Sequence, residues 1–298
     1  MEHPVITPGP PPGTRAILTL SCPDRTGIVH AVAGVLLAQG LTITEAQQFN
    51  DPDTATFFMR VAVSPGDPTA GPLDLTALTA AFAPVAEGWR MRWRLVDAAR
   101  RLRTLIMVSA LPHCLNDLLF RASISDLPLD VVGVVSNHPD LAPLAAAHGV
   151  PYHHIPVSPQ SRDAGEAALL ELIDAEQVDL VVLARYMQIL SDTLCERLAG
   201  QVINIHHSML PSFKGARPYH QAHARGVKLI GATAHYVTAA LDEGPIIEQD
   251  FARVDHAMTP DDLARVGREV EARTLARAVR LHAENRVALS GIKTVVLS

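Results

Sequence analysis

Four apolar runs in the second part of the chain constrain its fold most strongly. They are LRTLIMVSA (102–110), LDVVGVVSN (129–137), VDLVVLAR (178–185) and QVINIHH (201–207). Each run is apolar on both faces of the strand that it would form, which is typical of a parallel sheet covered by helices on both sides. Segments with helical spacing lie between the runs, and two of them end in glycine. The pattern predicts an open, mostly parallel, Rossmann-like α/β domain over residues 102–298.

The first hundred residues have a different pattern. RAILTLSC, LTITEAQQFN, TATFFMRVAVS and WRMRWRLVD indicate strands, whereas GIVHAVAGVLLAQG and DLTALTAAFAPVAE indicate helices, the second capped by Asp74. This β-α-β-β-α-β order predicts a ferredoxin-like α+β domain over residues 15–98. A mobile, Pro-rich tail over residues 1–14 precedes it.

Composition and charge exclude several classes of protein. Hydrophobic residues make up 48% of the chain and charged residues 19%, which is typical of a globular protein. The formal net charge is −6 and no basic run appears, so we expect no nucleic acid partner. No apolar run reaches the roughly 18 residues of a membrane span and no secretory leader is visible, so we predict a cytoplasmic protein without a membrane partner.

Three polar residues stand out among the apolar runs of the second domain. Asn204 and His206 are two positions apart at the end of a predicted strand, so their side chains share a face, and Asp242 follows in the turn LDEGP. An amide donor, an imidazole and a carboxylate suit attack on a carbonyl carbon without a metal. Taken singly, each also has a structural interpretation: a turn-forming Asn, a satisfied His and an ordinary turn Asp.

A metal site is the alternative for this region, because five histidines lie close together in sequence: His206, His207, His220, His223 and His235. They form neither an HExxH helix nor another convincing ligand set. The three cysteines are far apart and form no CxxC pair, which argues against disulfides and a thiolate site. We therefore predict a reaction without a metal or other cofactor.

The segments NIHHSMLPSFKGARPYHQA and GATAHYVTAALDEGPIIEQ resemble the folate-dependent formyltransferase superfamily, and the resemblance extends over residues 102–285. It implies that Asn204, His206 and Asp242 are the catalytic residues. It also implies that ARYMQIL (184–190) lines a folate pocket and that the HSMLPSF region shapes the site. The substrate-binding residues expected on this basis are Arg185, Met187, Gln188, Ile189, Leu190, Ser208 and Gly215.

The acceptor of the formyl group is indicated by the loop after the first strand of this domain, SALPHCLNDLL. It contains no glycine, and Pro112 has no N–H, so it lacks the backbone donors that hold a phosphate. The acidic chain also lacks the basic surface that a tRNA acceptor needs. Water remains, and the two-part layout resembles the deformylase branch of the superfamily, which implies hydrolysis of 10-formyltetrahydrofolate to formate and tetrahydrofolate. The alternatives are formyl transfer to a small amine and a non-catalytic sensor of folate or amino acids.

The loop CPDRTGIV in the first domain resembles the loop of an ACT domain, a regulatory module that binds amino acids between paired copies. Asp24 is positioned to cap the following helix, and Gly27 permits close approach of a ligand. The resemblance implies an effector such as methionine or glycine at Asp24, Arg25 and Gly27, and a homo-oligomer. A dimerisation module without a ligand is the alternative. The formate released would supply purine biosynthesis or another branch of one-carbon metabolism.

Overall fold

The computed structural model describes residues 13–67, 69, 71–158, 160–211 and 218–298. The chain divides into two compact units. The first contains the described residues up to Arg100 together with Glu284–Ser290 and Val295–Ser298, and the second contains Arg101–Ala283 and Gly291–Thr294. Most of the predicted tail lies outside the described residues; Gly13, near its end, donates its N–H to Asp97 at 2.8 Å.

The first unit has a four-stranded sheet with strand order β2-β3-β1-β4, in which all neighbours are antiparallel. Its elements follow the predicted β-α-β-β-α-β order, and a core of Leu18, Val61, Phe82 and their neighbours lies between sheet and helices. In chain order they are β1 (Ala16–Pro23), α1 (Ile28–Ala38), β2 (Leu41–Asp51), β3 (Thr56–Pro65), α2 (Leu75–Gly88) and β4 (Arg92–Asp97).

The two helices of this unit begin differently. Asp74 caps α2 as predicted, since its carboxylate accepts from the N–H of Ala77 at 2.9 Å. The expected capping of α1 by Asp24 is wrong. Helix α1 starts after Gly27, which has φ of 100° and provides no side-chain cap, and the carboxylate of Asp24 instead accepts from Asn50 at 2.8 Å.

The second unit is built around a seven-stranded sheet of order β11-β10-β9-β8-β5-β6-β7. Strands β7, β6, β5, β8 and β9 are parallel, and β10 and β11 extend the sheet in antiparallel fashion. This confirms the predicted mostly parallel α/β fold. The elements are β5 (Leu102–Val108), α3 (His113–Ser123), β6 (Leu129–Ser136), α4 (Ala142–Ala147), β7 (Tyr152–His154), α5 (Arg162–Ala175), β8 (Leu180–Leu183), α6 (Asp192–Arg197), β9 (Val202–His206), α7 (Pro218–Ala224), β10 (Leu229–Tyr236), β11 (Ile246–Arg253) and α8 (Pro260–Ala283).

The order of the parallel strands indicates where a ligand binds. From β5 the chain proceeds outward to β6 and β7 on one side and then returns to β8 and β9 on the other. Open α/β sheets bind ligands at the carboxyl ends of their strands, next to such a reversal. The long helix α8 packs against β10 and β11 on the same unit. No helix in the described part of the chain has the length and apolar character to cross a membrane.

The last residues form β12 (Val287–Ser290) and β13 (Lys293–Val296). The predicted boundary assigned everything after residue 102 to the second domain, whereas Glu284–Ser290 and Val295–Ser298 belong to the first unit. Charge pairing explains the difference. Arg286 lies 2.9 Å from Glu45 of β2, and the same carboxylate pairs with the buried Arg60 at 3.0 Å.

Candidate active site

Strand β9 delivers two of the predicted catalytic side chains to the end of the sheet. Asn204 and His206 lie on one face of the strand, as their spacing requires, and His206 is only 7% exposed. The antiparallel pairing of β9 with β10 places His235 opposite Asn204 and Thr233 opposite His206. The register between these two strands therefore determines which groups meet at the site.

Asp242 contacts His206 from the turn that follows β10. Its Oδ2 lies 3.2 Å from His206 Nδ1, and this hydrogen bond lowers the pKa of Asp242 although burial opposes the shift. Asp242 has φ of 56°, and a side chain on Gly244 would place its Cβ 1.7 Å from the carbonyl oxygen of Tyr236. The turn therefore requires glycine at position 244.

The second ring nitrogen of His206 is available for chemistry. Since Nδ1 faces the carboxylate of Asp242, a proton on Nδ1 leaves Nε2 to act on a substrate. Within the part of the chain that the structure describes, this buried Nε2 has no hydrogen-bond partner. A carboxylate and an imidazole whose second ring nitrogen is free form a dyad of the kind that moves protons in acyl-transfer enzymes.

His235 fixes the other catalytic candidate, Asn204. The ring nitrogen Nδ1 of His235 lies 2.9 Å from the carbonyl oxygen of Tyr236, so this nitrogen carries the proton and Nε2 is an acceptor. Burial lowers the pKa of His235, consistent with a neutral ring. Asn204 Nδ2 donates to His235 Nε2 over 3.2 Å, which leaves its second amide hydrogen for a ligand. The sequence indicates His235 only as a candidate metal ligand, because its role beside Asn204 depends on the pairing of β9 with β10.

A cavity of about 670 Å³ contains the three predicted catalytic residues, and the predicted folate-binding loop forms part of its wall. Met187 and Ile189 are 59% and 62% exposed, although both are apolar, so they are available to a ligand. All five residues predicted from this loop line the cavity: Arg185, Met187, Gln188, Ile189 and Leu190.

Another predicted substrate-binding residue, Ser208, does not line this cavity. Ser208 lines a separate cavity of about 40 Å³ together with Met209. Its carbonyl oxygen accepts from the hydroxyl of Thr233 at 2.8 Å, which ties this residue to β10. Gly215 lies outside the described residues.

Contacts from neighbouring strand ends and from α5 hold the predicted folate-binding loop. The N–H of Met187 donates to Ser109 Oγ at 3.0 Å, and that hydroxyl donates to Asn137 at 2.6 Å. Arg162 donates to the carbonyl oxygen of Ile189 at 3.0 Å. The sequence analysis did not identify Ser109 or Asn137; the signal available was their position directly after β5 and β6.

Glu271 of α8 is a buried carboxylate in the cavity wall, with 1% of its surface exposed. Its oxygens lie 2.8 Å from His113 Nε2, 3.3 Å from Arg185 Nε and 2.5 Å from the hydroxyl of Tyr219. Burial alone would raise the pKa of Glu271, but these partners outweigh it and lower the pKa. The sequence analysis did not single out this residue, because nothing in the helix pattern distinguishes it from the solvent-facing charges of α8.

The network continues from Arg185 to the catalytic candidates. Arg185 has φ of 66°, and its Nη1 donates to Nδ1 of His207. The rings of His207 and His206 are stacked, with centroids 4.9 Å apart and planes 16° apart. Glu271, Arg185 and His207 therefore form a continuous chain of contacts that ends on His206.

One group of described side chains has metal-ligating atoms close together: His113, Cys114 and Glu271, with these atoms within 4.8 Å of one another. Burial raises the pKa of the Cys114 thiol, which disfavours the thiolate that binds metals. The Arg185 guanidinium beside Glu271 also repels a cation. The group is thus better suited to hydrogen bonding, and metal-independent chemistry stays a prediction.

The predicted regulatory residues of the first unit lie together on a separate cavity of about 590 Å³, lined by Asp24, Arg25 and Gly27 and by residues of β2 and β3. The guanidinium of Arg25 lies over the ring of Trp89, 4.0 Å from its centroid, and donates to the carbonyl oxygen of Gly88 at 2.9 Å. A Cβ on Gly27 would lie 3.2 Å from Trp89, so the glycine allows this close packing.

Comparison with known proteins places this site in a family. The family model described as Formyl transferase matches residues 102–279. The chain is 53% identical to a formyltetrahydrofolate deformylase of Corynebacterium sp. (strain P-1), with 95% of this chain and 98% of that protein covered. The crystal structure of a formyltetrahydrofolate deformylase from Burkholderia mallei matches with a TM-score of 0.91 at 52% identity, over 96% of this chain and 100% of that one.

A glycinamide ribonucleotide transformylase from Symbiobacterium toebii matches less of the molecule. Its structure has a TM-score of 0.62 and 35% identity, and the match covers 66% of this chain and 95% of that one. The deformylases, in contrast, match nearly from end to end. The chain therefore belongs to the formyltetrahydrofolate deformylase family, a family of hydrolases.

Proposed function

We propose that this protein hydrolyses 10-formyltetrahydrofolate to formate and tetrahydrofolate, with water as the acceptor and no metal or other cofactor. One observation carries the proposal. His206, paired with Asp242, lines the same cavity as Asn204 and the predicted folate-binding loop, and its buried Nε2 has no hydrogen-bond partner among the described residues. Membership of the deformylase family supports the choice of substrate.

In the proposed reaction, a water oxygen attacks the formyl carbon while His206 Nε2 takes a proton from that water. The carboxylate of Asp242 stabilises the resulting imidazolium, and its lowered pKa keeps it ionised for this purpose. The oxyanion accepts a hydrogen bond from the second N–H of Asn204 and is attracted by the imidazolium of His206. Collapse breaks the bond between the formyl carbon and folate N10, and His206 returns its proton to N10. The formic acid that is released loses its remaining proton to solvent and becomes formate.

The loop that starts α3 supports water rather than an amine as the acceptor. Its two ends are occupied by internal contacts, since Ser109 bonds to Asn137 and His113 bonds to Glu271. Pro112, the residue before α3, has no N–H to offer. A phosphate-bearing acceptor is typically held by a glycine-rich loop, and this loop contains no glycine.

The direct test is incubation of the purified protein with 10-formyltetrahydrofolate alone. We expect formate and tetrahydrofolate in equal amounts without any added acceptor. A protein that turns over only after a small amine such as glycinamide is added would be a formyltransferase instead. A protein that binds the folate without any turnover would be a sensor, and either result would overturn hydrolysis as the function.

We further propose that the first unit is a ferredoxin-like ACT domain that binds a small amino acid and pairs in a homo-oligomer. Its β-α-β-β-α-β order and its strand order support this fold. The cavity at Asp24, Arg25 and Gly27 has room for an effector such as methionine or glycine. Calorimetric titration of the full-length protein with each amino acid tests this regulation, and sedimentation tests the oligomer. A cytoplasmic location and a supply of formate to purine biosynthesis stay predictions.

A further inference from the structure

We infer that Glu271 is a positioning residue for His206 and that it acts through Arg185 and His207. The inference rests on the proposed function, because it assigns a task to His206. Glu271 itself is separated from His206 by two intervening side chains, which contact one another in sequence from α8 to the end of β9.

The chain of contacts begins at the buried carboxylate of Glu271. Its almost fully buried carboxylate forms hydrogen bonds with His113 and Tyr219 and an ion pair with Arg185. Buried ion pairs seldom stabilise a fold more than an apolar replacement of the same volume would. A network of this kind in a cavity wall is therefore better explained by the geometry that it imposes on its members.

The surrounding helix is adapted to this network. Gly267 lies within α8, and a Cβ at this position would be 2.1 Å from the hydroxyl of Tyr219. Glycine inside a helix is less favourable than alanine. The helix thus has a residue of low helix propensity at the position where Tyr219 passes to reach Glu271. This indicates that the sequence of α8 is adapted to the contact between Tyr219 and Glu271.

Arg185 is the next residue in this chain of contacts, and its guanidinium group has a fixed orientation. Its backbone has φ of 66°, a left-handed conformation that is unfavourable for a residue with a side chain. From this backbone the guanidinium contacts Glu271 with Nε and His207 with Nη1. Contacts at two points fix the plane of the guanidinium group, whereas a single contact would leave it free to rotate.

His207 is the last residue before His206, and its contact with Arg185 determines which ring nitrogen carries the proton. Arginine can only donate hydrogen bonds, so Nδ1 of His207 accepts and the ring is neutral with its proton on Nε2. A positively charged ring stacked on His206 would oppose the imidazolium that the proposed reaction forms on His206. Glu271 and Arg185 together therefore hold His207 in the neutral form that this reaction requires.

The experiment compares Glu271→Gln with Glu269→Gln, which makes the same change of charge at an exposed position of α8. We expect Glu271→Gln to lower kcat for hydrolysis on the order of 10-fold to 100-fold, with KM within about threefold of the original value. Glu269→Gln should leave both constants unchanged. A raised KM at unchanged kcat in Glu271→Gln would mean that Glu271 binds the substrate directly, and would overturn the inference.

A second variant tests whether Glu271 acts on His206 through His207. His207→Phe keeps a ring against His206 but removes the acceptor for Arg185, so we expect it to lower kcat to a similar extent. In the double variant, Glu271→Gln should cause no further loss, whereas additive losses would show that Glu271 acts independently of His207. A wild-type kcat in His207→Phe would also overturn the inference, even if Glu271→Gln failed to fold. Failure of the proposed function is distinguishable, because the unmodified protein would then show no acceptor-free hydrolysis.

Discussion

Replacement of Asp242 by Asn tests the central pair of the proposed site. Asn keeps the shape of the carboxylate but removes the charge that faces His206 Nδ1 at 3.2 Å. Two unit charges at that separation attract by roughly 5 kcal/mol at an effective dielectric constant of about 20. The Asp242 side chain is 18% exposed, so solvent screens part of this attraction. A loss of roughly 3 to 5 kcal/mol of transition-state stabilisation corresponds to a fall in kcat on the order of 10² to 10⁴.

The assay is formate release from 10-formyltetrahydrofolate without an added acceptor, measured for Asp242→Asn and for Glu243→Gln. The second variant makes the same change of charge at the next residue, which is exposed. We expect Glu243→Gln to retain the original kcat. Circular dichroism establishes that both variants are folded. If Asp242→Asn is folded and hydrolyses the substrate at the original rate, then the assignment of a proton-transfer pair to His206 and Asp242 is wrong.

The same substitution has a consequence for stability. Because the pKa of Asp242 is lowered in the folded protein, its contribution to stability is present above its ordinary pKa of 3.8. It is lost as the pH falls through the lower, folded-state pKa. We therefore expect Asp242→Asn to have a lower Tm than the original protein at pH 7 and to approach it in acid. An equal Tm difference at both pH values would contradict this linkage.

Three other predictions concern single residues. Asn204→Ala should lower kcat on the order of 10² to 10³ with little change in Tm, because it removes one oxyanion donor; steady-state kinetics and a melting curve check this. Gly244→Ala should disrupt the turn before Pro245 and abolish hydrolysis, since the new Cβ would lie 1.7 Å from the carbonyl oxygen of Tyr236; wild-type activity in a folded variant would contradict it. Hydrogen bonds from Arg265 and Thr259 lower the pKa of the Asp262 carboxylate, in the first turn of α8, from 3.8 to about 2. Its contribution to stability should be lost as the pH falls from about 4 towards 2, so the Tm difference between the original protein and Asp262→Asn should vanish over that range.

Those parts of the fold that depend on neighbouring residues in sequence were predictable. Strands β5, β6, β8 and β9 were recognisable because both faces of each run are apolar. The ends of α4 and α6 were recognisable because a glycine follows each of them, and these glycines, Gly149 and Gly200, have φ of 68° and 75°. The failures have long-range causes. Asp24 was expected to cap α1, but Asn50 binds its carboxylate from a distant strand.

The same distinction applies to the site. Asn204 and His206 share a face because of strand geometry alone, and a motif indicated Asp242 as their partner. The role of His235 depends on the register of β9 with β10, and that of Glu271 depends on how α8 packs. Neither register nor helix packing is encoded in the local pattern of a single sequence. Polar residues whose partners are far away in the chain were therefore the ones that the sequence analysis missed.

A transformylase shares the fold of the second unit, so the fold alone does not decide between water and an amine as the acceptor. It must depend on what else borders the cavity. In this protein His113, at the start of α3, bonds to Glu271 of α8, and Tyr219 reaches the same carboxylate. These contacts occupy groups that could otherwise bind an acceptor, while water needs no such binding site. Helix α8 therefore connects the two proposals, in which its contact with the start of α3 favours water as the acceptor and its chain of contacts through Arg185 and His207 positions the residue proposed to activate that water.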